Sequence, residues 1–131
     1  MKQLTEKRII GNKGEDIACK YLISRGFSII ERNYLRKWGE IDIIAKFKKF
    51  HFIEVKTVSR TNLRDMSAQK TSYRPEDNMH PWKLERLSRT IQTYIAEKAI
   101  AEDVWQFDVV AVYLDLDRKE AKVEYLEDIV L

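Results

Sequence analysis

The sequence is poor in the residues that staple small folds. It has one cysteine, two prolines, four glycines and two histidines in 131 residues. A lone Cys19 cannot build an internal disulfide framework. His51 and His80, far apart in the chain, argue against a structural zinc site. So few Gly and Pro exclude collagen-like and low-complexity chains. No apolar run approaches the ~18 residues of a membrane span. The opening stretch MKQLTEKRIIGNKGE lacks the apolar core of a secretory signal. The expectation is a cytoplasmic protein with no membrane partner.

What is present suffices for a folded core. Hydrophobic residues make up 44% of the chain, aromatics 11% and charged residues 34%. That apolar fraction excludes disorder throughout, and the length suits one domain over residues 1–131. The formal net charge of +3 hides an asymmetry. Residues 1–80 carry 17 Lys and Arg against 10 Asp and Glu, whereas residues 81–131 carry 7 against 11. A basic portion is what a phosphate-binding face needs, although ordinary solvated surface has the same composition.

Residues from Thr5 to Arg25 follow a helical pattern, with Ile10, Ile17, Ala18, Tyr21 and Leu22 on an apolar stripe and Gly26 as the stop. Gly11 and Gly14 mark either a break in that helix or a close backbone approach. Strands are expected over Phe27–Leu35, Glu40–Lys46 and Phe50–Val58, the last two joined as a hairpin. Residues 59–79 form a long polar stretch, a length that in compact domains usually signals function or mobility. Pro81 suits the first turn of a second helix, with Leu84, Leu87, Ile91 and Ile95 on its apolar side through about Lys98. A strongly apolar strand, Val104–Leu114, precedes a turn and a last strand, Lys122–Leu126. The order α-β-β-β-α-β-β predicts an α/β layer structure with a central mixed five-stranded sheet flanked by helices.

The chemistry-bearing stretch is Gly39-Glu40-Ile41-Asp42, then eleven residues, then Glu54-Val55-Lys56. Alternation along a strand puts Glu54 and Lys56 on one face, and the hairpin can bring Asp42 to meet them. Two carboxylates suit a hard cation such as Mg²⁺, which polarises a phosphate and helps ionise water. A lysine beside them can stabilise developing charge. An acid-x-Lys pair on a strand is more commonly an exposed salt bridge of about 0–1 kcal/mol. Here the flanking residues are apolar enough to bury the strands, and buried charges need a partner or a metal.

Asp42, a spacer and Glu54-x-Lys56 on a hairpin resemble the PD-(D/E)xK superfamily, the restriction-endonuclease-like fold. A narrower likeness runs in order through Gly11-x-x-Gly14-Glu15-x-x-Ala18-x-x-Tyr21-Leu22, Arg32-Asn33, Gly39-Glu40-Ile41-Asp42-Ile43-Ile44-Ala45, Phe52-Ile53-Glu54-Val55-Lys56, Lys83-x-x-Arg86-Leu87 and Phe107-Asp108-Val109-Val110-Ala111-Val112. This set resembles the bacterial uncharacterised protein family 0102, the YraN-like proteins, over roughly residues 8–114. The resemblance implies a nuclease core similar to archaeal Holliday-junction resolvases. It implies Glu15, Asp42, Glu54 and Lys56 as catalytic residues, and Glu15, Asp42, Glu54 and the Val55 carbonyl as ligands for Mg²⁺ or Mn²⁺. The implied partner is DNA, branched or junction DNA included, cut by a homodimer. Two arginines frequent in the family are replaced by Leu35 and Val58, with Arg36 and Arg60 nearby.

Arg60, Arg64, Lys70, Arg74, Lys83 and Arg86 are the candidate nucleic-acid contacts. Trp38, Tyr73 and Trp82 flank basic residues, where stacking on bases competes with plain packing as an explanation. Glu40 shares either the metal group or a structural role at the strand start. Asp108 interrupts an apolar strand and needs a partner, such as Lys or Arg. Cys19 is expected to be a small buried apolar residue, His51 has no assigned chemistry, and His80 starts the second helix. The leading function is a metal-dependent endonuclease acting on DNA. The alternatives are a non-catalytic nucleic-acid-binding module on the same fold and a protein-interaction domain.

Overall fold

The computed structural model describes residues 4–60, 80–101 and 105–131. Seven elements follow in order: α1 (Glu6–Ser24), β1 (Ser28–Arg36), β2 (Gly39–Phe47), β3 (Lys49–Arg60), α2 (Pro81–Glu97), β4 (Trp105–Asp115) and β5 (Glu120–Leu126). They form one mixed sheet of order β1-β2-β3-β4-β5, with the expected two helices against it. Only the β3–β4 pair is parallel. A parallel neighbour needs a long crossover, and α2 lies on that crossover.

Helix α1 begins where Thr5, in extended conformation, accepts the Arg8 N–H on its side chain at 3.1 Å. It ends in a Schellman motif: Gly26 takes φ +95°, Phe27 N–H bonds to the Leu22 carbonyl and Gly26 N–H to that of Ile23. The helix does not break at residues 11–14. Gly14 is there because the backbone passes close to β3. A Cβ at Gly14 would sit 1.9 Å from Thr57 Oγ1, whereas a Cβ at Gly11 would meet nothing within 4 Å. Pro81 opens α2 as expected, at a position whose missing N–H costs no helical bond.

Each helix covers one face of the sheet. Ala18, Cys19 and Leu22 of α1 pack on Ile43, Ala45, Ile53, Val110, Val112 and Leu114. Ile91, Tyr94 and Ile95 of α2 pack on Ile41, Ile44, Phe52, Phe107 and Val109. Strand β4 is buried along nearly its whole length because it lies between both layers. Among the described residues no helix is long and apolar enough to cross a membrane.

Asp108 is fully buried, and its partner is neither Lys nor Arg. His51 Nδ1 lies 2.7 Å from Asp108 Oδ2, and Tyr125 Oη donates to the same oxygen at 2.5 Å. Gln106 Nε2 and the Asp128 N–H donate to Oδ1 at 2.7 and 2.8 Å. His51 Nε2 faces the Phe47 carbonyl at 3.2 Å. This network ties β3, β4, β5 and the β2–β3 turn together at the closed end of the hairpin. Burial raises the Asp108 pKa, but the bonds from His51, the Asp128 N–H, Tyr125 and Gln106 outweigh it and hold the carboxyl below its ordinary value.

Candidate metal centre

The open end of the β2–β3 hairpin makes the site. The ladder between the two strands runs from Phe47↔Lys49 to Ile43↔Ile53 and stops there. Strand β2 stays paired with β1 as far as Gly39, and β3 with β4 as far as Arg60. Asp42 and Glu54, the next rung in that register, stand where the strands part. Asp42 Oδ2 accepts the Val55 N–H at 2.8 Å, a bond the ladder no longer supplies. The N–H and C=O of one strand residue point to the same edge, so the Val55 carbonyl faces the same opening.

Asp42 does not share the Glu54 face in the way strict alternation predicts. Ile41 packs in the α2 layer and Ile43 in the α1 layer, so the side-chain alternation of β2 slips across Asp42. The neighbouring strand slips as well. Asn33 takes φ +53° between Arg32, which reaches α1, and Tyr34, which packs under α2. Asp42 therefore lines a cavity on the α1 side with Glu6, Lys7, Ile10, Gly11, Glu15, Val55, Thr57 and Ser59. Glu54 lines a second cavity, on the α2 side, with Glu40, Lys83 and Arg86. Lys56 is exposed and lines neither.

The carboxylates are held by polar side chains to which the sequence reading gave no role there. Asn33 Nδ2 donates to both Glu15 Oε1 and Glu40 Oε1 at 3.0 Å. Arg32 Nη2 lies 3.6 Å from Glu15 and 2.9 Å from Asp16. The signal for both was the Arg32-Asn33 pair, and an Asn tolerates the left-handed conformation better than most residues. Lys83 Nζ lies 3.6 Å from Glu54 Oε1, while Glu54 Oε2 is buried without a hydrogen-bond partner. Arg86 Nε donates to the Trp38 carbonyl at 2.9 Å, so its first engagement is with the β1–β2 turn. Trp38 packs on α2, bonding Thr93 Oγ1 and lying under the Arg89 guanidinium. Arg60 ends β3, and its side chain lies outside the described atoms, as do Arg64, Lys70, Tyr73 and Arg74 entirely.

Electrostatics follow from the geometry. Burial pushes the Asp42 carboxyl up to about 7; the Val55 N–H opposes this, and the charges of Glu15, Glu54 and Glu40 add to it. Among the described residues no salt bridge reaches Asp42 or Glu40. The donors are hard oxygens, and the charges of three other carboxylates act on Asp42. One of them, Glu54 Oε2, lacks a partner, so the set fits a hard divalent cation. Among the described residues no three His, Cys, Asp or Glu side chains gather closely enough to hold a metal alone. Mg²⁺ is compatible with that, since it is bound through one or two carboxylates and keeps several waters.

The model of the uncharacterised protein family UPF0102 matches residues 14–112, most of the chain and all of the site from Glu15 onward. The chain belongs to this family. A UPF0102 protein of Campylobacter lari is 40% identical over 108 residues, covering 82% of this chain and 86% of the relative. One from Geotalea uraniireducens is 35% identical over 124 residues, covering 94% and 90%. A third, from Campylobacter fetus, is 34% identical over 122 residues, covering 92% and 93%. In this UPF0102 chain the matched span includes Glu15, Arg32, Asn33, Asp42, Glu54 and Lys83, the residues that build and neutralise the two cavities.

Proposed function

We propose that the chain is a metal-dependent endonuclease that hydrolyses DNA phosphodiester bonds. The observation that carries this reading is the parted β2–β3 pair. It aims Asp42 and the Val55 carbonyl into an opening beside Glu15, with the Asp42 carboxyl raised by burial and by its acidic neighbours. Asp42 and Glu15, with the Val55 carbonyl, are the residues that would hold Mg²⁺ or Mn²⁺, and Glu54, which lines the other cavity, adds its negative charge beside them. When bound, the ion polarises the scissile phosphate and lowers the pKa of an attacking water. The chain's own residues do the rest. The Val55 N–H fixes the Asp42 carboxylate, Asn33 and Arg32 fix Glu15, and the exposed Lys56, two residues beyond Glu54 on β3, would meet the reacting phosphate as the charge-stabilising ammonium. Cutting two matched strands of branched DNA calls for a symmetric homodimer.

The test is incubation of junction, single-stranded and duplex DNA with Mg²⁺ or Mn²⁺. Cleavage is expected to fall at least ~100-fold in Asp42→Asn and in Lys56→Met proteins, the scale of losing a transition-state stabiliser. Cleavage unaltered by both substitutions would refute the assignment.

A second reading is favoured by the Lys83–Glu54 ion pair, which already supplies Glu54 with a counter-charge. On that reading the chain binds nucleic acid without cutting it. Binding would then weaken steeply with salt and ignore Asp42→Asn, with no turnover in any metal.

A further inference from the structure

The cavity on the α2 side differs from the acidic one in kind. It has a volume of about 400 Å³ and is lined by Gly39, Leu87, His80, Trp82, Lys83 and Arg86 as well as the two glutamates Glu40 and Glu54. Its walls are therefore aromatic, apolar and cationic, with the glutamates on one side. Trp82 is 58% exposed, and the α2 residues three and four positions on, Glu85 and Arg86, are charged and offer it no apolar cover. Its ring lies within 5° of parallel to that of His80, with centroids 6.3 Å apart. That separation is at the far end of aromatic contact, so the two rings do little for each other. What they share is a common face direction at the cavity, the arrangement on which a planar ring stacks.

The neighbours of the aromatic pair suit the rest of a nucleotide. Lys83 follows Trp82 directly, and its ammonium stands 3.6 Å from Glu54 Oε1. Arg86 is held at the wall by its bond to the Trp38 carbonyl. Gly39 gives a floor without a side chain: a Cβ there would come 2.5 Å from Thr90 Oγ1. A base on the Trp82 ring would put its phosphate within reach of two cations that border Glu54.

We propose that His80 and Trp82, with Lys83 and Arg86, form a seat for one unstacked nucleobase and its phosphate. The inference rests on the nuclease reading and deepens it: the preferred substrate has an unpaired nucleotide beside the bond to be cut. A base inside an intact duplex is stacked on both faces and cannot use the seat, whereas a flap, a fork or a single strand can.

The test is binding with the metal chelated, so that cutting does not enter. Fluorescence anisotropy is read on a labelled blunt duplex, the same duplex with a short single-stranded flap, and a single strand; a free mononucleotide is titrated against the intrinsic tryptophan signal. Trp82→Ala is expected to weaken flap and single-strand binding about 5- to 150-fold, the range for loss of one stacked base. Blunt-duplex binding is expected to change less than about twofold, and Trp82→Phe to restore most of the flap affinity. Mononucleotide quenching that vanishes in Trp82→Ala with no effect on the DNAs would identify a free-nucleotide site and overturn the nucleic-acid seat. Equal losses on all three DNAs, or none, would also overturn it. Asp42-dependent cleavage that ignores Trp82 refutes the seat alone. Flap-selective binding through Trp82 with no cleavage in any metal refutes the nuclease reading alone.

Discussion

Asp42 and Val55 are joined across the gap where β2 leaves β3, the carboxylate taking at 2.8 Å the N–H that a strand partner would otherwise have taken. One side chain thus closes the sheet and opens the site. The bond keeps a peptide N–H from being orphaned, and it aims the carboxylate beside Glu15. It also places the acid in a buried spot among other acids, which is costly while it is charged.

That cost sets a pH dependence. The folded-state pKa of Asp42, about 7, is well above its unfolded value of 3.8. Between those values the folded chain holds a proton that the unfolded chain has lost, so this group makes the metal-free protein less stable as pH rises from about 4 to 7. Asp42→Asn keeps an acceptor for the Val55 N–H and cannot ionise. The variant is expected to gain on the order of 2–4 kcal/mol over wild type at pH 8 and little at pH 4. Urea midpoints at the two pH values measure this. A wild-type advantage at pH 8 without metal would contradict the burial of an uncompensated carboxylate.

The same charge balance bears on Lys83. Its ammonium neutralises Glu54, a group that otherwise attracts a cation. Lys83→Met is expected to tighten Mn²⁺ binding several-fold by removing a competing charge, as measured by titration calorimetry. Weaker binding in the variant would mean that Lys83 organises Glu54 rather than competing for it. Lys83 is half-buried and paired, and the substitution is expected to change stability by about 1 kcal/mol or less.

The elements were legible because their hydrophobic periods were long and their ends well marked. Thr5, Gly26 and Pro81 set helix limits to within a residue or two. The hairpin register followed from its short turn. What alternation could not give was the slip at Asn33 and Asp42. A strand read as strictly period-two puts Asp42 on the Glu54 face; the slip that turns it toward Glu15 lies beside the left-handed Asn33 of the adjoining strand. The partner of Asp108 was missed for a different reason. His51 and Asp108 lie 57 residues apart and meet only through the parallel β3–β4 pairing, so no local pattern joins them.

Gly14 was legible only as a choice between break and close approach, and the close approach makes a sharp expectation. Gly14→Ala would drive its Cβ to 1.9 Å from Thr57 Oγ1 and 2.8 Å from Thr57 Cβ. Overpacking of this kind costs about 1–3 kcal/mol, set against the small gain Ala gives inside a helix. Thr57→Ala added to Gly14→Ala removes the nearer clash but leaves the Cβ, so rescue is expected to be partial. Melting temperatures of the two single variants and the double variant test it. Full rescue would show that α1 can shift away from β3, and then Glu15 would shift with it.

The Asp108 network should respond to pH in the opposite sense from Asp42. Hydrogen bonds from His51, the Asp128 N–H, Tyr125 and Gln106 hold the Asp108 carboxyl below its ordinary pKa despite burial. A carboxylate with a depressed folded-state pKa stabilises the protein above its unfolded pKa of about 3.8 and loses that contribution as pH falls through the folded value. Asp108→Ala leaves three donors and a buried histidine without their acceptor. Breaking a buried charged network in this way costs about 3–5 kcal/mol. The deficit is expected in full near pH 7 and is expected to narrow below pH 4, where the wild-type carboxylate itself becomes protonated. Because the network lies at the closed end of the hairpin, away from Asp42, the destabilised variant is expected to keep wild-type Mn²⁺ affinity at temperatures where it remains folded. Calorimetry at low temperature separates the two effects, and a parallel loss of metal affinity would mean that the closed end of the hairpin also sets the gap at Asp42.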